Sequence, residues 1–198
     1  MFLVGAATFL FGVFLVPLLE SDERVAREFH RLYHDEWYET TILQTRWRGV
    51  ELLKCPLDLW VVQEMIHEIE PDVIVETGTW RGGSAYYFAS MFDMFGKGRV
   101  LTVDIEKYDV PQHDRISYHI GSSTAPEIIE TFKNSINDGE VVMVVLDSNH
   151  QTEHVLNELR LYGDMVSVGS YMIVEDMHLG GNPVRVGEGT RPRPSNSS

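Results

Sequence analysis

The 198 residues contain one cysteine, Cys55. No intrachain disulfide can form, no cysteine cluster can hold a metal, and the usage suits a reducing compartment. A lone cysteine reads as a small core residue. Basic residues are also scarce: 16 Lys and Arg stand against 30 Asp and Glu, for a net charge of −14. No basic patch stands out, and no nucleic-acid partner is expected. Also missing are a Walker A motif, a G-x-S-x-G elbow and any internal repeat. Apolar residues make up 43% of the chain, which excludes long disorder and supports one packed domain with an appendage.

Charge is absent altogether from residues 2–19, a stretch rich in Phe, Leu and Val. Its length lies within the roughly 17–25 residues that cross a bilayer. It lacks a basic n-region and a small-x-small cleavage site, so an uncleaved anchor is favoured over a signal peptide. A buried N-terminal helix is the competing reading. An anchor would tie an otherwise cytoplasmic protein to the cytoplasmic face of a membrane. Residues 21–40 alternate charges with aromatics and read as a helix, and 57–70 as another, stopped by Pro71. The expected division is an apolar segment at 1–20, a helical cap at 21–70, a cofactor-binding domain at 71–184 and a disordered Gly/Pro/Ser-rich tail at 185–198.

Five strands are expected, near 73–77, 99–103, 116–120, 141–146 and 170–175, with helices between most of them. Such alternation means an α/β fold with a doubly wound, mostly parallel sheet of Rossmann-like type. The run Val141-Val-Met-Val-Val-Leu146 has the continuous apolarity of a central strand.

The most informative stretch is Val73-Ile-Val-Glu-Thr-Gly-Thr-Trp-Arg-Gly-Gly-Ser84. A strand ends in a carboxylate, Glu76, and runs into a glycine turn at Gly78, Gly82 and Gly83, with a helix behind it. Glycine permits positive φ there and lets backbone N–H groups approach a ligand, the arrangement by which doubly wound domains receive an adenosine cofactor. Asp104 ends the second strand, 21 residues after Gly83, where such domains place an acceptor for ribose hydroxyls. Gly121-Ser-Ser123 ends the third, at a position suited to a loop beside the adenine.

The fourth strand ends in Asp147 and the fifth in Glu175-Asp176. Unpaired, these carboxylates would repel one another, and a hard divalent cation such as Mg²⁺ or Mn²⁺ resolves the conflict. Successive strand residues point to opposite faces, so Glu175 and Asp176 reach one ion only where the strand bends. His150 lies three residues past Asp147 and can serve as general base near neutral pH; His178 is a second candidate. His150-Gln-Thr-Glu-His154 also matches the H-x-x-E-H zinc pattern, which would need a third ligand.

Glu76-Thr-Gly-Thr79, Gly82-Gly-Ser84, Asp104-Ile-Glu106, Leu146-Asp-Ser-Asn-His150 and Ile173-Val-Glu-Asp176 together resemble the cephalosporin hydroxylase / rhamnosyl O-methyltransferase family. This is a branch of the class I S-adenosylmethionine-dependent methyltransferases. Lys54-Cys-Pro-Leu-Asp-Leu-Trp60 resembles the segment that precedes the family's main domain. The resemblance runs from about Phe29 to Val184. It implies a cofactor pocket for S-adenosyl-L-methionine at Glu76, Thr77, Gly78, Thr79, Gly82, Gly83, Ser84 and Asp104, with Ser122 in the adenine-side loop. It implies Mg²⁺ at Asp147, Glu175 and Asp176, with His150 as base.

The implied activity is Mg²⁺-dependent O-methyl transfer to a sugar, such as a rhamnosyl glycolipid in lipid biosynthesis, or to another vicinal-oxygen acceptor. Alternatives are cephalosporin-type hydroxylation or methoxylation, a nicotinamide oxidoreductase, a zinc hydrolase and a non-catalytic binding module. Family members continue into a further helix and a β-hairpin, for which few residues remain here. The fifth strand is therefore expected as an open edge that favours self-association into a homo-oligomer.

Overall fold

The computed structural model describes residues 24–177. The apolar segment at 1–19, the second histidine candidate His178, and the tail lie outside them. No helix of the described residues is long and apolar enough to cross a membrane. Residues 42–177 form one compact unit, and residues 24–41 belong to another. In the latter, helix α1 (24–31) passes into a wider π-helical turn, Leu32–Glu36, and the Phe29 and Tyr33 rings stack at 5.6 Å.

The larger unit opens with an antiparallel hairpin, β1 (Arg46–Trp47) and β2 (Val50–Glu51), its tight turn carried by Arg48 and Gly49 at positive φ. Cys55, half-buried, leads into α2 (Pro56–Ile69), where proline takes the first turn because its missing N–H has no intrahelical partner there. Then β3 (Val73–Thr77), α3 (Gly83–Phe95), β4 (Arg99–Asp104), β5 (Ile116–Ile120), α4 (Pro126–Asn134), β6 (Val142–Leu146), α5 (Thr152–Tyr162) and β7 (Met172–Val174) follow.

All neighbours in this five-stranded sheet are parallel, in the order β5-β4-β3-β6-β7. Strand alternation divides its side chains cleanly between two cores. Ile74, Val100, Met143 and Val145 face α2 and α3, against Ile66, Phe88 and Phe92. Val73, Val75, Leu101, Val103, Val142, Val144 and Leu146 face α4 and α5, against Ile128, Phe132 and Tyr162. Burial of each such large apolar side chain stabilises the fold by about 1.5–3 kcal/mol. The expected α/β, doubly wound, parallel architecture is the observed one. The order reverses at β3, whose C-terminal end meets those of β4 and β6, and ligands of such sheets bind at that reversal.

Candidate active site

The turn after β3 is shaped by what its glycines exclude. Gly78 has φ +86, and a Cβ there would lie 1.9 Å from the Asp147 carbonyl oxygen. Its N–H donates to Val103 O at 2.8 Å, while Asp147 N–H donates to Thr77 O at 3.0 Å. The turn is thus wedged between the ends of β4 and β6. A Cβ on Gly83 would lie 2.0 Å from the Glu51 carbonyl oxygen, so the strand leaving the hairpin crosses directly over the start of α3. Asp104 braces the turn from the side, accepting from Trp80 N–H at 2.7 Å and Glu106 N–H at 3.0 Å. A carboxylate offers about four acceptor positions, so room for further donors remains.

Glu76 is fully buried at the centre. Thr102 Oγ1 donates to its Oε2 at 2.6 Å and is itself 2.6 Å from Thr79 Oγ1. Its other oxygen, Oε1, has no hydrogen-bond partner among the described residues, although the Ser84 hydroxyl lies close enough to favour the charged form. Burial pushes Glu76 up to about 7, against the pull of the Ser84 and Thr102 hydroxyls and of Lys54. Ser122 sits in the loop after β5, its hydroxyl 3.1 Å from Thr124 Oγ1.

The ends of β6 and β7 supply the charges. The β7 ladder ends with Glu175 N–H donating to Leu146 O at 2.9 Å. Asp176 then takes φ +56, a left-handed bend of the kind that aspartate tolerates. Past that bend Asp176 meets His150, while Glu175 meets Lys54. Asp147, His150 and Asp176 each offer a ligand atom, all within 4.8 Å of one another, and His150 Nε2 is 3.3 Å from Asp176 Oδ2.

Glu175 stands outside this cluster because of a residue whose place the sequence did not disclose. Lys54, 7% exposed, donates from Nζ to Asp147 Oδ2 at 2.6 Å and lies 2.8 Å from Glu175 Oε1. Burial opposes its charge, but the two carboxylates more than offset this and hold Lys54 above the usual lysine range. Burial also pushes Asp147 up, against the pull of Lys54. The two contacts below 3 Å decide the matter in favour of an ionised cluster. The available signal was a single charge in the apolar run Leu52-Leu-Lys-Cys55, just before a proline-started helix.

The H-x-x-E-H pattern does not form a zinc site among the described residues. The α5 helix starts at Thr152, after His150, and His154 Nε2 lies 3.5 Å from Glu158 Oε1 instead.

A comparison with known proteins bears on this arrangement. The family described as Rhamnosyl O-methyltransferase/CmcI matches residues 39–195. A rhamnosyl O-methyltransferase of Mycobacterium leprae (strain TN) is 35% identical over 168 residues, which span 82% of this chain and 72% of that protein. Among solved structures, an apo structure of CmcI is 25% identical with a TM-score of 0.58, over 72% of this chain and 64% of that one. A CmcI structure described as Mg-SAM is 24% identical with a TM-score of 0.57, over 70% and 60%. The chain belongs to the rhamnosyl O-methyltransferase/CmcI family of S-adenosylmethionine-dependent O-methyltransferases.

Proposed function

We propose that this chain transfers the methyl group of S-adenosylmethionine to a hydroxyl of a sugar, or of another acceptor with vicinal oxygens, and that it uses Mg²⁺ to do so. The observation that carries the reading is Glu76. A fully buried carboxylate with an orphaned oxygen, Oε1, beside a turn that admits no Cβ, suits the ammonium of an amino-acid-bearing nucleoside. In this reading Thr77, Gly78, Thr79, Gly82, Gly83 and Ser84 shape the cofactor's seat. Asp104 takes the ribose hydroxyls and Ser122 lies on the adenine side.

The donor set also fits a hard cation. Asp147 and Asp176 offer oxygen ligands in one cluster, and Glu175, held outside it by Lys54, would join them only by turning its second oxygen to the ion. When bound, Mg²⁺ supplies positive charge that orients the acceptor oxygens and lowers a hydroxyl pKa. Imidazole is a poorer ligand for Mg²⁺ than for zinc or copper, which leaves His150 for proton transfer. His150 takes the acceptor's proton as the O–CH₃ bond forms and the S–CH₃ bond breaks, and Asp176 at 3.3 Å stabilises the imidazolium. S-adenosylhomocysteine leaves. Because the named relatives are rhamnosyl O-methyltransferases, a rhamnosyl glycoside is the first acceptor to offer.

The test is calorimetric titration of S-adenosylmethionine into the protein, with and without Mg²⁺, followed by methyl transfer from labelled cofactor to rhamnosyl glycosides. Binding is expected, and Asp147→Ala should abolish metal-dependent turnover. A folded protein that binds no cofactor, or an Asp147→Ala variant with unchanged turnover, rejects the reading.

A further inference from the structure

Helix α5 carries a polar stripe on its inner face at a spacing of four residues: His154, Glu158 and Tyr162. On a helix these side chains lie one above another. Glu158 is 1% exposed and Tyr162 is fully buried, so the stripe is embedded rather than solvated. A buried carboxylate is costly unless it is hydrogen-bonded, and here Ser148 Oγ donates to Glu158 Oε1 at 2.7 Å. Ser148 is the residue immediately after Asp147. His154 Nε2 is 3.2 Å from Ser148 Oγ and also 3.1 Å from Ser123 Oγ. Tyr162 OH donates to the carbonyl oxygen of the same Ser123 at 2.7 Å.

The connection is unusual in what it joins. Ser123 follows β5 and Ser148 follows β6, and the sheet order places β4 and β3 between those strands. Their loops nevertheless meet on one imidazole nitrogen. With Nε2–H shared between the two hydroxyl oxygens and the Ser148 hydroxyl committed to Glu158, one imidazole nitrogen ties both loops to α5. The first turn of α5, which bears His154, begins two residues after His150. A shift of the 121–123 loop therefore acts on the segment that presents Asp147 and His150.

We propose that His154 is a positioning residue that couples the cofactor-side loop at Ser122–Ser123 to the carboxylate loop at Asp147–His150, so that occupancy of either site strengthens binding at the other. The inference rests on the function proposed above. It assigns His154 no contact with cofactor, metal or acceptor. Its role is to make two loops move as one, which is a coupling free energy and must be reciprocal.

The experiment measures the dissociation constant of S-adenosylhomocysteine for the full chain, with no metal and with saturating Mn²⁺. In the parent protein Mn²⁺ is expected to tighten binding by about fivefold or more, the lower end of ordinary coupling between sites. In His154→Leu, binding without metal should stay within about threefold of the parent, while the Mn²⁺ effect falls below about twofold. A merely structural role would weaken both measurements together. Ser148→Ala and Ser123→Ala each remove one arm of the bridge with little change in packing, and each should lose coupling. They decide the matter if His154→Leu does not fold.

Parent-like coupling in His154→Leu, or in both serine variants, overturns the proposal. So does a parent that binds S-adenosylhomocysteine with no response to Mn²⁺, and that result leaves the cofactor assignment standing. A parent that binds no S-adenosylhomocysteine removes both.

Discussion

The turn after β3 and the ends of β6 and β7 touch each other but are made of opposite materials. The turn is built from backbone: Gly78 and Gly83 sit where a Cβ would lie within about 2 Å of a carbonyl oxygen. The strand ends are built from charge: Asp147, Glu175 and Asp176 gather around Lys54 and His150. A backbone-built site has its shape before any ligand arrives. A charge-built site depends on which cation is present. Each half should therefore fail in its own way.

The largest effect is expected at the turn. Gly78→Ala would place a methyl group 1.9 Å from Asp147 O, at a φ of +86 that alanine resists. The clash cannot be relieved by a side-chain turn, since the Asp147 oxygen is backbone and both residues are tied just past the ladder, Gly78 N–H to Val103 O and Asp147 N–H to Thr77 O. Urea unfolding should show a loss above about 4 kcal/mol, or no folded protein at all. Mg²⁺ should not repair it.

Lys54→Met attacks the other half. It leaves Asp147 and Glu175 close together with no cation between them, and removing one partner of a buried ion pair costs about 3–5 kcal/mol. The contrast with Gly78→Ala lies in rescue. Millimolar Mg²⁺ or Mn²⁺ should return much of the lost stability, because a cation can replace a cation but nothing replaces space. If Lys54→Met melts like the parent without metal, the cluster is not held by charge.

These two halves were unequally legible in the sequence. The β3–turn–α3 unit was readable because glycine, carboxylate and apolar residues follow one another in a continuous stretch, and local sequence fixes local geometry. The central strand β6 was readable because a strand buried on both faces of a parallel sheet needs an unbroken apolar run, and the edge strand β5 was readable from its alternation of apolar and polar residues instead. The charge-built half was readable only in part. Asp147, Glu175 and Asp176 stand at strand ends and announced themselves, but their partner Lys54 comes from a segment 93 residues earlier than Asp147. Thr102, which ties Glu76 to Thr79, looked like one β-branched residue among the valines and leucine of β4. His154 was visible only as half of a zinc pattern. Its real partners, Ser123, Ser148 and Glu158, come together through the packing of α5 against two loops. Spacing along the chain carries no record of such contacts.

A smaller effect separates the halves through pH. Burial holds Glu76 near 7 in the free protein, above the ordinary glutamate value of 4.5. Below pH 7 it carries a proton that a cationic ligand must displace. Affinity for S-adenosylhomocysteine should therefore fall by up to tenfold per pH unit below about 7 and level off above it. The linkage to stability has the opposite sign. The folded protein binds this proton more tightly than the unfolded chain, so Glu76 makes stability decline as pH rises from about 4.5 to about 7. Glu76→Gln should flatten both trends. An affinity profile unchanged by Glu76→Gln would place the ligand's ammonium elsewhere.

The smallest effect is expected where charge is exposed. Asp93, near the end of α3, pairs with Arg115 at 2.8 Å and His113 at 3.1 Å. Arg115 and His113 hold its carboxyl below the usual aspartate range, a geometry that on paper resembles the Lys54 cluster. The difference is water. Asp93 is about half exposed, and solvent screens what burial would magnify. Asp93→Ala should cost less than about 1 kcal/mol in urea unfolding and leave cofactor affinity unchanged. A loss as large as that of Lys54→Met would mean that ion pairs here act regardless of depth. The distinction between a backbone-built turn and a charge-built pair of strand ends would then reduce to a count of contacts.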